Sequence, residues 1–560
     1  MGSNLTYACF WSPSECSYYN RRDLRGLARL TLGGFLEMRC ARAGFLVAAI
    51  SVASVVSPTI AKQAEDQPPS GLAQAEWAAT GGHGWDRIAA VILEGTITEG
   101  GVPGTFTKTI DLRTGKSRML QETGPMRAVT GYDGVAWNAA NGIVNSVDLP
   151  PLVQDARSQA FVDRAGWRSG TGFTISKAEP GNHAEVVHYL PAAGSEVEVT
   201  FGFTNHLVSQ VVIQTEDGPL TITYSDWRRV GKVSFPFRRV ETSNTGETTT
   251  FEVKRVRLLS KLPPDSLARP ARSAHGRLVS VEGARIPFRY AGWHILLPAR
   301  VNEVPVDVVF DTGAANYFSP AWSEQFGLKV AGGLNLGGVG ESSTTGGYAL
   351  AKKISIGSAE LSDEVVLVGP LPWDARPGQS QLAGSVGFEF LAEFRTTIDY
   401  PAQTIRFAEF GQPASNDAGT TVPFYSDGHS IYIEAEVDGH HGFFRLDTGD
   451  GGTVTLFAAF AKHNDLYQET GENVVSGAGI GGNVRARKIT LSSLKLAGTD
   501  FRELPANLSQ NKAGSFGSRT LAGSLGGGVL RCYRITFDYP ARFLTFQAAP
   551  EHLRDCVKVH

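Results

Sequence analysis

The stretch that decides the fold occurs twice, as Val309-Phe310-Asp311-Thr312-Gly313 and as Arg445-Leu446-Asp447-Thr448-Gly449. The surrounding residues 287–313 align without a gap on residues 136 positions later, since 447 − 311 = 136. A second block, residues 382–407, is identical at 13 of 26 positions to the block 139 residues later. A repeat of this extent predicts two duplicated lobes, 283–411 and 420–547.

Each lobe is predicted to consist mainly of strands. Residues 295–301 and 304–310 form a hairpin pattern around Asn302-Glu303, and the second strand ends directly at Asp311. Glycine-rich stretches follow at 332–347 and 477–483. We interpret them as hairpins that close over a cleft, and the candidate flap residues are Gly338, Gly340, Gly479 and Gly481.

The paired Asp-Thr-Gly turns carry the predicted chemistry. If the lobes face each other, Asp311 and Asp447 meet, and two close carboxylates share a proton because both cannot ionise easily. One is then a general base for water and the other a general acid toward a carbonyl. Thr312 and Thr448 are predicted to hydrogen-bond across the pair, while Gly313 and Gly449 permit tight turns. This chemistry requires neither a metal nor another cofactor.

With these motifs, the lobes resemble retropepsin-like aspartic proteases, fused into one chain as in pepsin-like enzymes. Val386-Gly387 is similar to the second signature of that family, an apolar residue followed by glycine. The resemblance implies an endopeptidase with catalytic Asp311 and Asp447 and a protein or peptide substrate. Asp450 departs from the pattern, because a small residue is usual there. A carboxylate pointing toward the pair would raise its pKa.

A different domain precedes the lobes. Alternation in residues 197–203, with helical stretches at 71–79 and 150–165, predicts a curved antiparallel sheet with one or two helices over residues 68–262. The runs 132–137 and 224–231 resemble the outer-membrane lipoprotein carrier superfamily, which implies an antiparallel half-barrel with an apolar or lipid ligand on its concave face. Residues 263–282 are predicted to be a linker, and 548–560 a C-terminal tail.

The N-terminal region 1–61 has the layout of a secretory signal peptide. Met38 to Arg42 is basic, and the apolar stretch 45–56 is too short to span a membrane. Translation is expected to start at Met38, and the mature chain to be periplasmic or secreted. Removal of this region leaves Cys532 and Cys556, which we predict to form a disulfide.

Composition and motif searches exclude several other classes of function. Lys and Arg number 52 against 55 Asp and Glu, a net charge of −3, which excludes a strongly basic nucleic-acid-binding protein. Gly477, Gly479 and Gly482 match a dinucleotide fingerprint by letter, but the next residues predict a strand and not a helix. His440-His441 lacks ligand spacing, so no metal site is predicted. The alternative function is a non-catalytic periplasmic binding protein for an apolar ligand or a peptide.

Overall fold

The computed structural model describes residues 71–180, 184–244, 246–280, 285–373, 377–378, 380–411 and 419–548. The predicted signal region and Cys556 lie outside these residues. The predicted fold class is confirmed, because the chain is mostly β and has two differently built parts. Among the described helices, none combines the length and the hydropathy that crossing a bilayer requires.

The N-terminal domain is one 13-stranded sheet in which neighbouring strands run antiparallel. Its strands are β1 (Ala90–Glu99), β2 (Val102–Asp111), β3 (Ser117–Thr123), β4 (Met126–Tyr132), β5 (Ala136–Ala140), β6 (Ile143–Val147), β7 (Phe173–Pro180), β8 (Ala184–Pro191), β9 (Val197–Gly202), β10 (Val208–Thr215), β11 (Gly218–Val230), β12 (Val233–Thr242) and β13 (Thr248–Leu259). Pairing of β1 with β13 joins the two halves of the meander.

Two helices, α1 (Gly71–Ala79) and α2 (Pro150–Asp163), accompany this sheet. The second half of α2 buries Phe161 and Val162 against Trp167 and strands β7 to β11. The strict alternation in β9 puts Val197, Val199 and Phe201 into the same core, because side chains two residues apart share a face.

The first lobe is a nine-stranded sheet that closes on itself through pairing of β21 with β22. Its strands are β14 (Gly276–Leu278), β16 (Arg289–Ala291), β17 (His294–Val301), β18 (Val304–Asp311), β19 (Tyr317–Phe318), β20 (Ala331–Leu336), β21 (Thr344–Ile356), β22 (Ala359–Val368) and β23 (Leu382–Gly387). Strand β14 falls within the predicted linker, where its pairing with β22 adds an edge strand to this lobe.

The second lobe repeats the arrangement with eight strands, closed by pairing of β28 with β32. They are β27 (Tyr425–Ser426), β28 (Ile431–Val437), β29 (His440–Leu446), β30 (Val454–Leu456), β31 (Asn473–Gly479), β32 (Gly482–Leu496), β33 (Thr499–Ser509) and β34 (Gly523–Leu525). Short helices recur at similar places: α3 (Pro320–Gln325), α4 (Phe388–Glu393), α5 (Ala458–His463) and α6 (Gly527–Leu530).

A six-stranded sheet joins the lobes, and one continuous hydrophobic core runs through both. Its strands are β15 (Ile286–Pro287), β24 (Arg395–Asp399), β25 (Thr404–Ala408), β26 (Thr420–Pro423), β35 (Tyr533–Asp538) and β36 (Phe543–Ala548). At its centre β24 pairs with β35, so that Ile398 lies opposite Ile535. At the turns after β24 and β35, the carboxylates of Asp399 and Asp538 accept hydrogen bonds from the backbone amides of Ala402 and Ala541.

The N-terminal domain packs on the second lobe through polar contacts. Glu216 is buried and accepts hydrogen bonds from the hydroxyls of Ser518 and Thr520. Asp148 pairs with Arg542 and accepts a 2.8 Å hydrogen bond from the amide of Ser426. These contacts fix the N-terminal domain beside the cleft between the lobes.

Candidate active site

The two Asp-Thr-Gly turns meet at the lobe interface through reciprocal hydrogen bonds. The Thr312 hydroxyl donates to the carbonyl of Leu446 at 2.7 Å, and the Thr448 hydroxyl donates to the carbonyl of Phe310 at 2.6 Å. Each hydroxyl also accepts from the opposite threonine amide, at 3.0 and 3.1 Å. Both threonines are fully buried. The structure thus places the predicted bracing residues in contact and holds the turns face to face.

Each glycine lies against the carboxylate of the opposite lobe. A Cβ added to Gly313 would lie 2.9 Å from Cγ of Asp447, and one added to Gly449 would lie 2.3 Å from Oδ2 of Asp311. Within its own turn, each aspartate accepts from the glycine amide, at 2.8 Å in the first lobe and 2.9 Å in the second. Only glycine leaves room for two carboxylates to approach in this way.

The paired carboxyls are electrostatically coupled. Burial raises the pKa of Asp311 and raises that of Asp447 well above its usual range. The negative charge of Asp311 and a hydrogen bond from Asp447 to it add to the rise at Asp447. The pair therefore keeps one proton well above the pH at which an exposed aspartate would lose it.

Comparison with known proteins gives a family match around the first turn. Residues 297–390 match the family model described as Aspartyl protease. This segment contains Asp311 and the strands on both sides of it. A search of curated proteins returned no match.

Three solved structures are similar to parts of the chain. A retropepsin-like aspartic protease from Rickettsia conorii is 19% identical over 22% of this chain and 87% of its own, with a TM-score of 0.17. A LolA superfamily protein from Nitrosomonas europaea is 9% identical over 36% of this chain and 98% of its own, with a TM-score of 0.28. A DUF1329 family protein from Desulfovibrio piger is 10% identical over 36% of this chain and 97% of its own, with a TM-score of 0.26.

The second turn differs from the first in its charged neighbours. Asp450 points inward: its Oδ1 accepts from the amide of Gly452 at 2.8 Å, and its Oδ2 accepts from the Ser524 hydroxyl at 2.9 Å. Its charge adds to the raised pKa of Asp447, whereas the nearby Arg445 guanidinium opposes that rise. The carboxylate of Asp450 is thus turned into the protein, where its charge acts on the pair.

Sequence reasoning missed two charged or titratable neighbours of the pair. Arg445 is buried in β29, and its guanidinium donates to the Tyr432 hydroxyl at 3.2 Å. The imidazole of His294 lies against Gly451, and burial lowers its pKa although the charges of Asp311 and Asp450 oppose this effect. A basic residue in the otherwise apolar stretch before Asp447 was a visible signal for Arg445, while no sequence pattern marked His294.

The predicted flap residues form two hairpin tips that touch each other. The amide of Gly340 donates to the carbonyl of Ile480 at 3.0 Å, and that of Ser342 to the carbonyl of Gly481 at 3.0 Å. Added Cβ atoms at Gly338 and Gly479 would collide with Ile480 and Val339 of the opposite tip. An ion pair between Glu341 and Arg485 reinforces the contact. Each lobe therefore contributes a flap.

Two further candidate groups lie away from the dyad. Cys532 is fully buried next to β35, but its predicted partner Cys556 falls outside the described residues, so that disulfide stays a prediction. On the N-terminal domain, His188, Glu196 and Glu198 offer three possible metal-ligand atoms within 4.8 Å of one another. None of these three belongs to the lobes, so they supply no group to the paired aspartates.

Proposed function

We propose that this chain is an aspartic endopeptidase, and one observation carries the proposal. Asp311 and Asp447 are brought together by two turns whose threonines and glycines interact reciprocally across the lobe interface. A clamp for peptides has no need of paired, buried carboxyls with raised pKa values. The family match over residues 297–390 supports the same reaction class.

In the proposed reaction, the carboxylate of Asp311 takes a proton from water, and the water oxygen bonds to the peptide carbonyl carbon. Asp447, which holds the shared proton, donates it to the carbonyl oxygen and produces a neutral diol. The proton on Asp311 then passes to the amide nitrogen, the carbon–nitrogen bond breaks, and Asp447 recovers a proton from a diol hydroxyl. The dyad ends in its starting state.

The flap contact supports a polypeptide substrate held in extended form. The two tips meet through backbone hydrogen bonds and must part before a chain can enter between them. After entry, the same backbone groups are available to hydrogen-bond a substrate strand, which recognises a main chain without regard to its side chains.

We also propose that the mature chain is exported and that its N-terminal domain holds an apolar group. The layout of residues 38–61 supports export. A cavity of about 330 Å³ in the N-terminal domain supports apolar binding, because large apolar residues contribute to its walls, among them Trp77, Trp85, Leu93, Phe106, Trp227 and Phe251. Buried polar groups line it as well, including the ion pair of Lys108 with Asp163 at 2.7 Å.

The peptidase proposal is tested by digesting a peptide library with the purified chain across a range of pH, alongside Asp311→Asn. Cleavage that depends on Asp311 is expected, because the substitution removes the general base. If Asp311→Asn cleaves as fast as the unmodified chain, the proposed function is wrong.

The apolar site is tested by filling its cavity. Leu93→Trp should reduce kcat/KM for an acylated peptide by roughly tenfold and leave the same peptide without its acyl chain unaffected, because an added ring excludes the ligand. Leu190→Trp on exposed surface is the matched control. If Leu93→Trp lowers kcat/KM equally for both peptides, the proposal of an apolar site is wrong and the domain has a structural role only.

A further inference from the structure

A second cavity, of about 350 Å³, lies between the N-terminal domain and the first lobe. Its walls come from both sides. The N-terminal domain contributes the β1–β2 turn at Glu99 and Gly100 and the start of β13 near Glu247, and the first lobe contributes Ala315 and Asn316. Neither domain forms this space alone.

The cavity lies close to the first Asp-Thr-Gly turn and to the first flap. Ala315 and Asn316 follow Asp311 by four and five residues, and the Phe388 amide donates to the carbonyl of Ala314 at 3.2 Å. Residues 334–337 and Tyr348, on the two strands of the flap hairpin, form another wall. The cavity is therefore bounded both by the turn that follows Asp311 and by the flap hairpin.

Acidic groups dominate the ionisable lining of the cavity. Its walls carry the carboxyl groups of Glu99, Glu247 and Glu389, together with the imidazole of His429. Among the described lining residues, none is a lysine or an arginine. Burial raises the pKa of Glu99 and raises that of Glu389 to about 7, since these acids are removed from water.

Polar atoms in the walls have spare hydrogen-bonding capacity. The Asn316 side chain is fully buried, and within the described part of the chain neither its Nδ2 nor its Oδ1 has a hydrogen-bond partner. Buried Oε1 of Glu247 also lacks a partner among the described residues. Burial without a partner costs free energy, so the arrangement favours a ligand that brings hydrogen-bond donors.

We propose that this cavity is a substrate subsite for the side chain of a lysine or arginine near the cleaved bond. The inference rests on the proposed peptidase function and names its substrate class. An ammonium group brings three donors and a guanidinium five, and either one places a positive charge among the three carboxyl groups. The N-terminal domain then determines specificity through Glu99 and Glu247, in addition to any apolar ligand that it holds.

The test compares matched peptides that differ only in charge at one position, with arginine against citrulline and lysine against norleucine. The unmodified chain should cleave the charged member with a kcat/KM about tenfold higher, and Glu247→Gln should remove most of that ratio. Glu122→Gln, at an exposed carboxylate of the same domain, should leave the ratio unchanged. Efficient cleavage without preference for a basic residue at any position would overturn the subsite.

A binding measurement separates this inference from the proposed function. In the full-length Asp311→Asn chain, arginine peptides should bind about tenfold more tightly than citrulline peptides, and Glu247→Gln should remove the difference. If no peptide is cleaved by the unmodified chain but this binding preference persists, the peptidase proposal fails and the basic subsite survives. Equal binding of both peptides contradicts the subsite whether or not cleavage occurs.

Discussion

The two active-site turns have nearly equal backbones and unequal charges. The amide-to-carboxylate hydrogen bond inside the turn measures 2.8 Å in the first lobe and 2.9 Å in the second. The Arg445 guanidinium lowers the pKa of both carboxyls, whereas the charge of Asp450, which stands where the first lobe has Ala314, raises the pKa of Asp447. Duplication thus supplied a symmetric scaffold, and charged side chains of the second copy tune the pKa of the pair.

The largest expected effect comes from breaking either half of the pair. Asp311→Asn and Asp447→Asn should each lower kcat/KM by about 10² to 10⁴, because general acid–base assistance needs both groups. The double variant should be little worse than either one, since the two act as a unit. Steady-state kinetics on one peptide checks this, and additive losses would mean that the carboxyls act independently.

A smaller loss, on the order of 10²-fold, is expected from Gly449→Ala. An added methyl group would lie 2.3 Å from Oδ2 of Asp311 and displace it, and displacements of about 1 Å have costs of this size. Gly313→Ala places its methyl group 2.9 Å from Cγ of Asp447 and should cost less. Gly71→Ala, with nothing within 4 Å, is the control. A larger loss for Gly313→Ala than for Gly449→Ala would contradict this prediction, which rests on the two distances.

The charge difference between the turns should appear in the pH dependence of kcat/KM. Loss of the shared proton sets the alkaline limb, and the charge of Asp450 raises the pKa of Asp447. Asp450→Asn should therefore move that limb to lower pH, by roughly one unit or less. Arg445→Met should move it to higher pH, because Arg445 lowers the same pKa. If both variants move the alkaline limb in the same direction, this account is wrong.

The lobes also differ in buried acids, which should affect stability. The first lobe buries Glu364, Glu389 and Glu393, while the positions 139 residues after the last two are Gly528 and Cys532. Burial, followed by repulsion from Glu389 and Glu393, raises the pKa of Glu364 to about 9.

The folded chain then binds more protons than the unfolded chain between about pH 4.5 and pH 9, so its stability should fall as pH rises through this window. Glu364→Gln should reduce that fall, which thermal unfolding at pH 5 and pH 9 would reveal. Parallel curves for the variant and the unmodified chain would mean that Glu364 is ionised in the folded state.

The sequence predicted the fold class because the repeat is long and its turns carry a distinctive motif. The alternation in β9 and the position of α2 were likewise readable from local patterns. Strand β14 was missed, because three residues that pair only at a sheet edge leave no periodic signal. His294 and Glu364 were missed for a related reason: their surroundings come from residues far away in the chain.

The flaps illustrate the same limit of prediction from sequence. Glycine-rich stretches indicated two hairpins, but the contact of Gly340 with Ile480 depends on how the lobes are placed. The cavity bounded by Glu99, Glu247 and Asn316 depends on domain packing as well. Motifs located the dyad, and only the tertiary structure located the groups that tune it.

Proton counting at the dyad tests the central claim most directly. Infrared spectra of the unmodified chain, recorded as differences against Asp447→Asn and Asp311→Asn at the pH of maximal activity, isolate the carbonyl band of a protonated carboxylic acid. The account predicts one such band, assigned to Asp447, because the paired charges hold a single proton there. Two ionised carboxylates at that pH, with no acid band lost in either variant, would contradict it.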